Sequence, residues 1–196
     1  MDGQRTLTAR GAVRRAALLD AAISVVAAGG SGSLTHRAVA LRAEVSLASV
    51  TYHFAGIEEL RRSTFERALT VLDDELARAA ENGGTLERMP RVYADYVVAL
   101  LTRHREAVVT VNEMIVAANH DDHLRPTFHA YQEHFAQLLD PCVGGREAGF
   151  MVAAALQGLI LSAITYQDGQ AADGGDASRW RDAVIDLINR VRSQQH

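Results

Sequence analysis

The chain has 196 residues, 48% of them hydrophobic, with three prolines, one cysteine and a formal net charge of −4. That length suits one domain, or a small module joined to a larger one, and the abundance of Ala, Leu and Arg favours helix over strand. The acidic total argues against a protein that coats nucleic acid indiscriminately but leaves room for a local basic face, and a lone Cys142 cannot form an internal disulfide, which fits a reducing cytoplasm.

Taken in chain order, Val13, Ala17, Ala21 and Val25 recur every four residues and predict a first helix at about Thr8–Ala28 with that row as its apolar face. The run Gly29-Gly30-Ser31-Gly32-Ser33 stops it. Thr35 is a good N-cap for a short second helix to about Ala43, and Ser46 for a third over Leu47–His53. Two short helices with so brief a connection predict a helix-turn-helix, with Val39, Ala40, Val45, Val50 and Phe54 as its core. A long fourth helix over Ile57–Glu81 carries Leu60, Ala68, Leu72 and Leu76 on its apolar face and Arg61, Arg62 and Arg67 on the wet one. A module boundary is placed at Gly56, giving units of 1–56 and 57–196.

Pro90 sits near the start of a fifth helix, where its missing N–H costs little, and Tyr93, Tyr96, Val97 and Leu100 line one side. Arg103, His104 and Arg105 mark a break before a central sixth helix to about Ala118. Pro126 opens a seventh helix bearing Phe128, Tyr131, Phe135 and Leu138, with Asp140-Pro141 and Gly144-Gly145 expected to terminate it. The eighth, about Arg146–Gln167, is apolar nearly all round and so predicted to be buried on several sides. Asp168–Gly175 reads as a loop. The ninth, about Ala177–Ser193, carries Trp180, Val184, Leu187, Ile188 and Val191 on one stripe. The fold class expected is all-α, with about nine helices. There is no N-terminal apolar segment with signal-peptide flanks, and the most apolar run, Phe150 to Ile164, falls short of the ~20 residues that span a bilayer, so no membrane partner is expected.

Residues Arg14 to Leu60 resemble the tetracycline-repressor (TetR-type) family. The similarity rests on Ala21-Ala22 in the first helix, Gly30 and Thr35 before the second, the turn Ala43-Glu44-Val45-Ser46, Tyr52-His53-Phe54 closing the third, and Ile57-Glu58-Glu59-Leu60 opening the fourth. The resemblance implies a homodimeric, ligand-responsive repressor that binds a palindromic double-stranded DNA operator. A recognition helix needs short side chains against base edges, and Leu47, Ala48, Ser49 and Thr51 suit that. Thr35 with the N–H groups behind it can hold a phosphate, Tyr52 and His53 resemble the family's phosphate-contacting pair, and Ser46, His36 and Arg37 complete the expected DNA-binding set. Two positions depart from the pattern. Glu44 stands where a Gly is usual, at a cost of ~1 kcal/mol or more if the turn needs φ > 0. Ile57 replaces a Lys, losing one charge-assisted contact.

The resemblance also implies an effector pocket enclosed by helices four to eight and a dimer interface from helices eight and nine. Tyr93, Tyr96, Met114, Phe128, Tyr131, Phe135 and Gln157 are the expected pocket residues, aromatic walls with few polar groups being what a small-molecule cavity needs; plain core packing explains the same stripes. Phe150, Ala154, Leu161, Trp180, Val184, Leu187, Ile188 and Val191 are the expected dimer contacts. His120, Asp121, Asp122, His123, His129 and His134 cluster in sequence, but His-x-x-His spacing in an exposed turn is weak for a metal; no metal or cofactor is expected. The chain lacks a nucleotide loop, a nucleophile elbow or a well-spaced metal motif, so an enzyme is disfavoured. A dimeric binding protein that has lost DNA recognition stays open because of Glu44 and Ile57.

Overall fold

A computed structural model describes residues 9–81, 85–166 and 174–194. Within them the elements are α1 (Ala9–Gly29), a 3-10 turn (Ser31–Ser33), α2 (His36–Arg42), α3 (Leu47–His53), α4 (Ile57–Glu81), α5 (Met89–Arg103), α6 (Arg105–Ala117), α7 (Arg125–Val143), α8 (Arg146–Tyr166) and α9 (Gly174–Ser193). The described residues contain nine α-helices and no strand. The loop expected at Asp168–Gly175 lies almost wholly outside the described residues.

The short helices start where their capping side chains dictate. The Thr35 hydroxyl accepts from the Ala38 N–H at 3.0 Å and the Ser46 hydroxyl from the Ser49 N–H at 3.2 Å. Each such cap contributes about 1 kcal/mol. Pro90 and Pro126 lie in the first turns of α5 and α7, where the backbone N–H has no helical acceptor in any case.

Two expectations about the helices are corrected. The row Val13, Ala17, Ala21 and Val25 is not the buried face of α1; Val13 is 72% exposed, and Leu18, Leu19, Ala22, Ile23 and Val26 face the core. A strict four-residue spacing rotates about 40° per step on a helix of 3.6 residues per turn, so such a row winds away from the core. Asp140-Pro141 does not end α7: the helix runs through Pro141 to Val143 and stops at Gly144, in the left-handed region at φ 89. A proline three residues from the end removes a single helical hydrogen bond, and the last turn tolerates that.

One apolar core runs from Leu18 to Ile188. α4 packs against α1 on one side and against α5 and α6 on the other; α7 lies along α8, and α9 along α5. Gly149 lets α7 and α8 approach closely, since a Cβ there would sit 2.6 Å from the Ala136 carbonyl oxygen. The break at His104 is a clean elbow. The buried carboxylate of Glu75 on α4 accepts from Arg103 at 2.7 Å, Arg78 at 2.9 Å and His104 at 2.9 Å, and so ties α4 to the α5–α6 junction.

α8 from Arg146 to Thr165 is long and apolar enough to cross a membrane by length and composition, with mean hydropathy 1.8, which corrects the shorter span read from the sequence. Its polar interruptions, Gln157 and Ser162, do not end the helix. One side of it is buried against the chain through Val152, Leu156, Ile160 and Ala163.

Candidate nucleic-acid interface and effector cavity

The α2–α3 unit is held from beneath by Val39, Ala40, Val50 and Phe54, all buried, with Val45 half-buried beside them. Outward face Thr35, Arg37, Ser46, Leu47, Ala48, Thr51 and Tyr52, while Ser49 is half-buried. Leu47 and Tyr52 are large apolar or amphipathic side chains left 49% and 65% exposed, with the Tyr52 ring edge-on to His53 at 5.2 Å. The α2–α3 turn is closed by hydrogen bonds from the Glu44 N–H to the Leu41 oxygen at 3.2 Å and from the Val45 N–H to the Ala40 oxygen at 2.9 Å, with Glu44 at φ 53. This pair of bonds is the Schellman pattern, which places a left-handed residue just past the helix end. The turn therefore keeps the geometry a glycine would have, despite the glutamate.

His36 has a structural job. Its Nε2 lies 3.0 Å from the Phe54 carbonyl oxygen, tying the start of α2 to the end of α3. His53 sits half-buried with its Nδ1 unpartnered. Burial, then the charges of Arg15 and Arg14, push its pKa below the ordinary imidazole value, so the ring is neutral at pH 7. The Arg15 guanidinium lies over the Phe54 ring at 4.7 Å and donates to the Ser63 hydroxyl at 2.7 Å, joining α1, α3 and α4. Arg14 and Arg15 were not singled out from the sequence. They bring positive charge beside the end of α3, and an Arg-Arg pair two helices upstream gives no local sign of that proximity. Ile57 is half-buried and packs against the core.

The second site is an apolar cavity between α4, α5, α6, α7 and α8. It is lined by Leu72, Tyr96, Leu100, Val108, Val111, Asn112, Tyr131, Phe135, Gln157 and Ile160, and measures about 20 Å³, room for about one water. Tyr131 and Phe135 stack with ring centroids 6.1 Å apart and planes 3° from parallel; Tyr96 meets Phe135 at 6.2 Å. Burial raises the Tyr96 and Tyr131 hydroxyls well above their ordinary values. The polar groups on the wall are few. Asn112 donates to the Val108 carbonyl at 2.9 Å, and Gln157 is half-buried.

Four of the seven expected pocket residues, Tyr96, Tyr131, Phe135 and Gln157, meet here. The other three do not. Tyr93 is buried and donates to the Leu138 carbonyl at 2.8 Å, bordering a separate pocket with Met89 and Leu138. Met114 borders an open cleft of about 570 Å³, with Ser31, Glu58, Arg61 and His120 to His123. Phe128 packs partly buried on the core. All three stripe positions are apolar at helical spacing, and periodicity cannot tell a wall from a filled core. Among the described residues no group of three or more His, Cys, Asp or Glu is placed to hold a metal; His129 is exposed and His134 faces Asp73.

α6 joins the two sites. Val108, Val111 and Asn112 on one side line the cavity. On the other, Glu106 accepts from the Ser24 hydroxyl at 2.7 Å, the buried Thr110 hydroxyl donates to the Ile23 carbonyl at 3.1 Å, and Glu113 accepts from the Ser31 N–H at 3.0 Å. These contacts reach α1 and the turn that leads into α2.

The expected dimer residues divide by helix. On α8, Phe150, Ala154 and Leu161 are exposed, together with Met151 and Gly158, so an apolar row lies uncovered in the single chain. On α9 the expectation is corrected for Trp180, Val184 and Ile188, which are 8%, 0% and 0% exposed and belong to the subunit's own core. The α9 stripe finds its partner in α5. Leu187 and Val191 are half-buried and pack on the same core.

Residues 18–64 match the family profile described as bacterial regulatory proteins, tetR family, and residues 84–191, more than half of the chain, match that of the tetracyclin repressor-like C-terminal domain. No curated protein matches the chain. Among solved structures, a TetR-family member from Streptomyces coelicolor A3 is 27% identical, with a TM-score of 0.72 over 89% of this chain and 98% of its own. The multidrug binding protein EbrR in complex with ethidium is 27% identical, with a TM-score of 0.68 over 89% of this chain and 97% of its own. A transcriptional regulator from Rhodococcus sp. RHA1, 21% identical, shares the fold with a TM-score of 0.77 over 92% of this chain and 96% of its own.

Proposed function

Since the chain belongs to the TetR family of bacterial transcriptional regulators, we propose that it is a repressor that binds a palindromic operator as a homodimer and is released by a small, largely apolar effector. It works in the cytoplasm and carries no catalytic activity. Residues 1–56 supply the DNA-binding module and residues 57–196 the effector and dimerisation part. Thr35, Arg37, Ser46, Leu47, Ala48, Ser49, Thr51 and Tyr52 meet the duplex, with His53, Arg14 and Arg15 at the backbone; His36 holds α2 against α3.

The observation that carries this reading is the position of α6. An effector entering a 20 Å³ cavity must push its walls apart, and α6 is one of them. The far side of the same helix is hydrogen-bonded to α1 and to the turn before α2. A ligand can shift an equilibrium only by binding one state better than another. Here it favours the state with α6 displaced, and the displacement changes how the two recognition helices sit across one DNA turn, ~34–36 Å apart. EbrR, bound to ethidium, malachite green and proflavin, supports a small-molecule role for this chain. The uncovered α8 row of Phe150, Met151, Ala154, Gly158 and Leu161 supports a two-fold interface centred there.

A gel shift with the region upstream of the chain's own gene tests the reading. Wild type should bind, with affinity that falls steeply as salt rises, and Tyr52→Ala should bind much more weakly. Equal binding by the two at physiological salt refutes it. The alternative of a dimer without DNA recognition loses one of its two motives, because Glu44 already holds the left-handed geometry the turn requires.

A further inference from the structure

One side chain, Tyr131, is shared by the apolar cavity and an open groove beside it. Tyr131 borders the inner cavity of about 20 Å³, a void of about 10 Å³ towards α8, and an open groove of about 260 Å³ between α4 and α7. α7 packs closely on α8 and only lightly on α4, so the α4–α7 seam is the weaker wall. The Tyr131 hydroxyl has no hydrogen-bond partner among the described residues, and its ring is held by stacking on Phe135. Turning it outward breaks no polar contact and joins cavity to groove, a space approaching the ~300 Å³ at which small-molecule pockets begin.

The mouth of this path is charged. Asp73 of α4 and His134 of α7 face each other across the groove at 3.9 Å. Asp73 also borders the neighbouring apolar pocket of about 250 Å³. Burial raises the Asp73 carboxyl above its ordinary value, and its charge contributes to holding the Tyr96 and Tyr131 phenols un-ionised. The field of Asp73 therefore reaches the cavity wall. Glu66 adds a second carboxylate to the groove. Three aromatic faces behind a carboxylate rim favour an organic cation, which gains from both, whereas an organic anion meets repulsion before it reaches Tyr131.

We propose that organic cations reach the cavity through the α4–α7 groove, with Tyr131 as the gate and Asp73 as the residue that selects for positive charge. This rests on the effector reading above. The test uses the full chain without DNA, ethidium as a cationic probe and Nile red as a neutral one, with affinities and association rates read by fluorescence. Asp73→Asn should weaken ethidium about tenfold, the scale of one partly screened charge, and leave Nile red unchanged. Ala130→Trp, which fills the groove from an exposed position, should slow association of both dyes about tenfold or more. If Asp73→Asn leaves ethidium unchanged, or weakens both dyes alike, the selection is refuted; if Ala130→Trp binds as fast as wild type, the path is refuted. Wild type binding neither dye overturns the effector reading together with this one, whereas dye binding insensitive to both substitutions overturns this one alone.

Discussion

Replacing Glu44 with glycine should make the protein more stable. Glu44 is the only described non-glycine residue at positive φ, at 53, and its side chain is exposed with no hydrogen bond or ion pair among the described residues. An L-residue in the left-handed region costs roughly 1–2 kcal/mol. Glycine removes that cost but adds back about 0.4–1 kcal/mol through the larger freedom of its unfolded chain. Both turn hydrogen bonds, at 3.2 and 2.9 Å, run through backbone atoms and survive the change. The net gain is about 1 kcal/mol, or about 2–4 °C in melting temperature for a chain of this size. Thermal unfolding at fixed protein concentration should show Glu44→Gly melting above both wild type and Glu44→Ala. Alanine keeps the strained backbone and loses only a solvated side chain, so it should lie close to wild type. A glycine variant that melts at or below the alanine variant would show that the turn stores no strain, and the reasoning would fail.

Other predictions follow from packing and charge. Gly149→Ala should destabilise the fold by roughly 1–3 kcal/mol, because the new methyl group meets the Ala136 carbonyl oxygen; urea unfolding measures it, and a neutral effect would mean α7 and α8 can separate freely. Leu161→Arg, placed at the C-terminal end of the uncovered α8 row, should yield monomers in light scattering and lower operator affinity by about 100-fold or more through lost bivalency; a dimer of unchanged affinity would place the interface elsewhere. His53 has a folded pKa below its ordinary value of ~6.5, so the unfolded chain binds more protons just below that pH. Stability should then fall as pH drops from ~6.5 towards the folded value and level off beneath it. His53→Asn should flatten that segment of the urea midpoint against pH, and an identical profile for the two proteins counts against it.

What could be read from sequence was what depends on neighbours in the chain. Thr35 and Ser46 cap their helices through bonds to residues three positions on, so the starts of α2 and α3 were legible to the residue. Gly144 ends α7 for the same local reason. Faces and partners were harder. The real face of α1 is set by the bulk of Leu18, Leu19 and Ile23 against α4 and α6 rather than by the regular row through Val13. Trp180, Val184 and Ile188 do form a stripe, but α5 of the same chain covers it, and no periodicity names the element on the other side. Tyr93, Met114 and Phe128 look like Tyr96, Tyr131 and Phe135 in sequence, and only the packing of five helices decides which of them border this cavity. Arg15 reaches Phe54 and Ser63 across 39 and 48 residues of chain, a proximity that exists only once the module is folded.

α6 gives the cavity and the α1–α2 region a common backbone, with Val108, Val111 and Asn112 on one side and Glu106, Thr110 and Glu113 on the other. Residues so close in space do not act additively. Variants of Val108 or Val111 selected for response to a new inducer should therefore also carry altered repression when no inducer is present. Recovering tight silencing in such a variant calls for a second change on the opposite side of the same helix, or on α1 where that side lands. Under the proposed function, inducer range and background expression are settings of one dial.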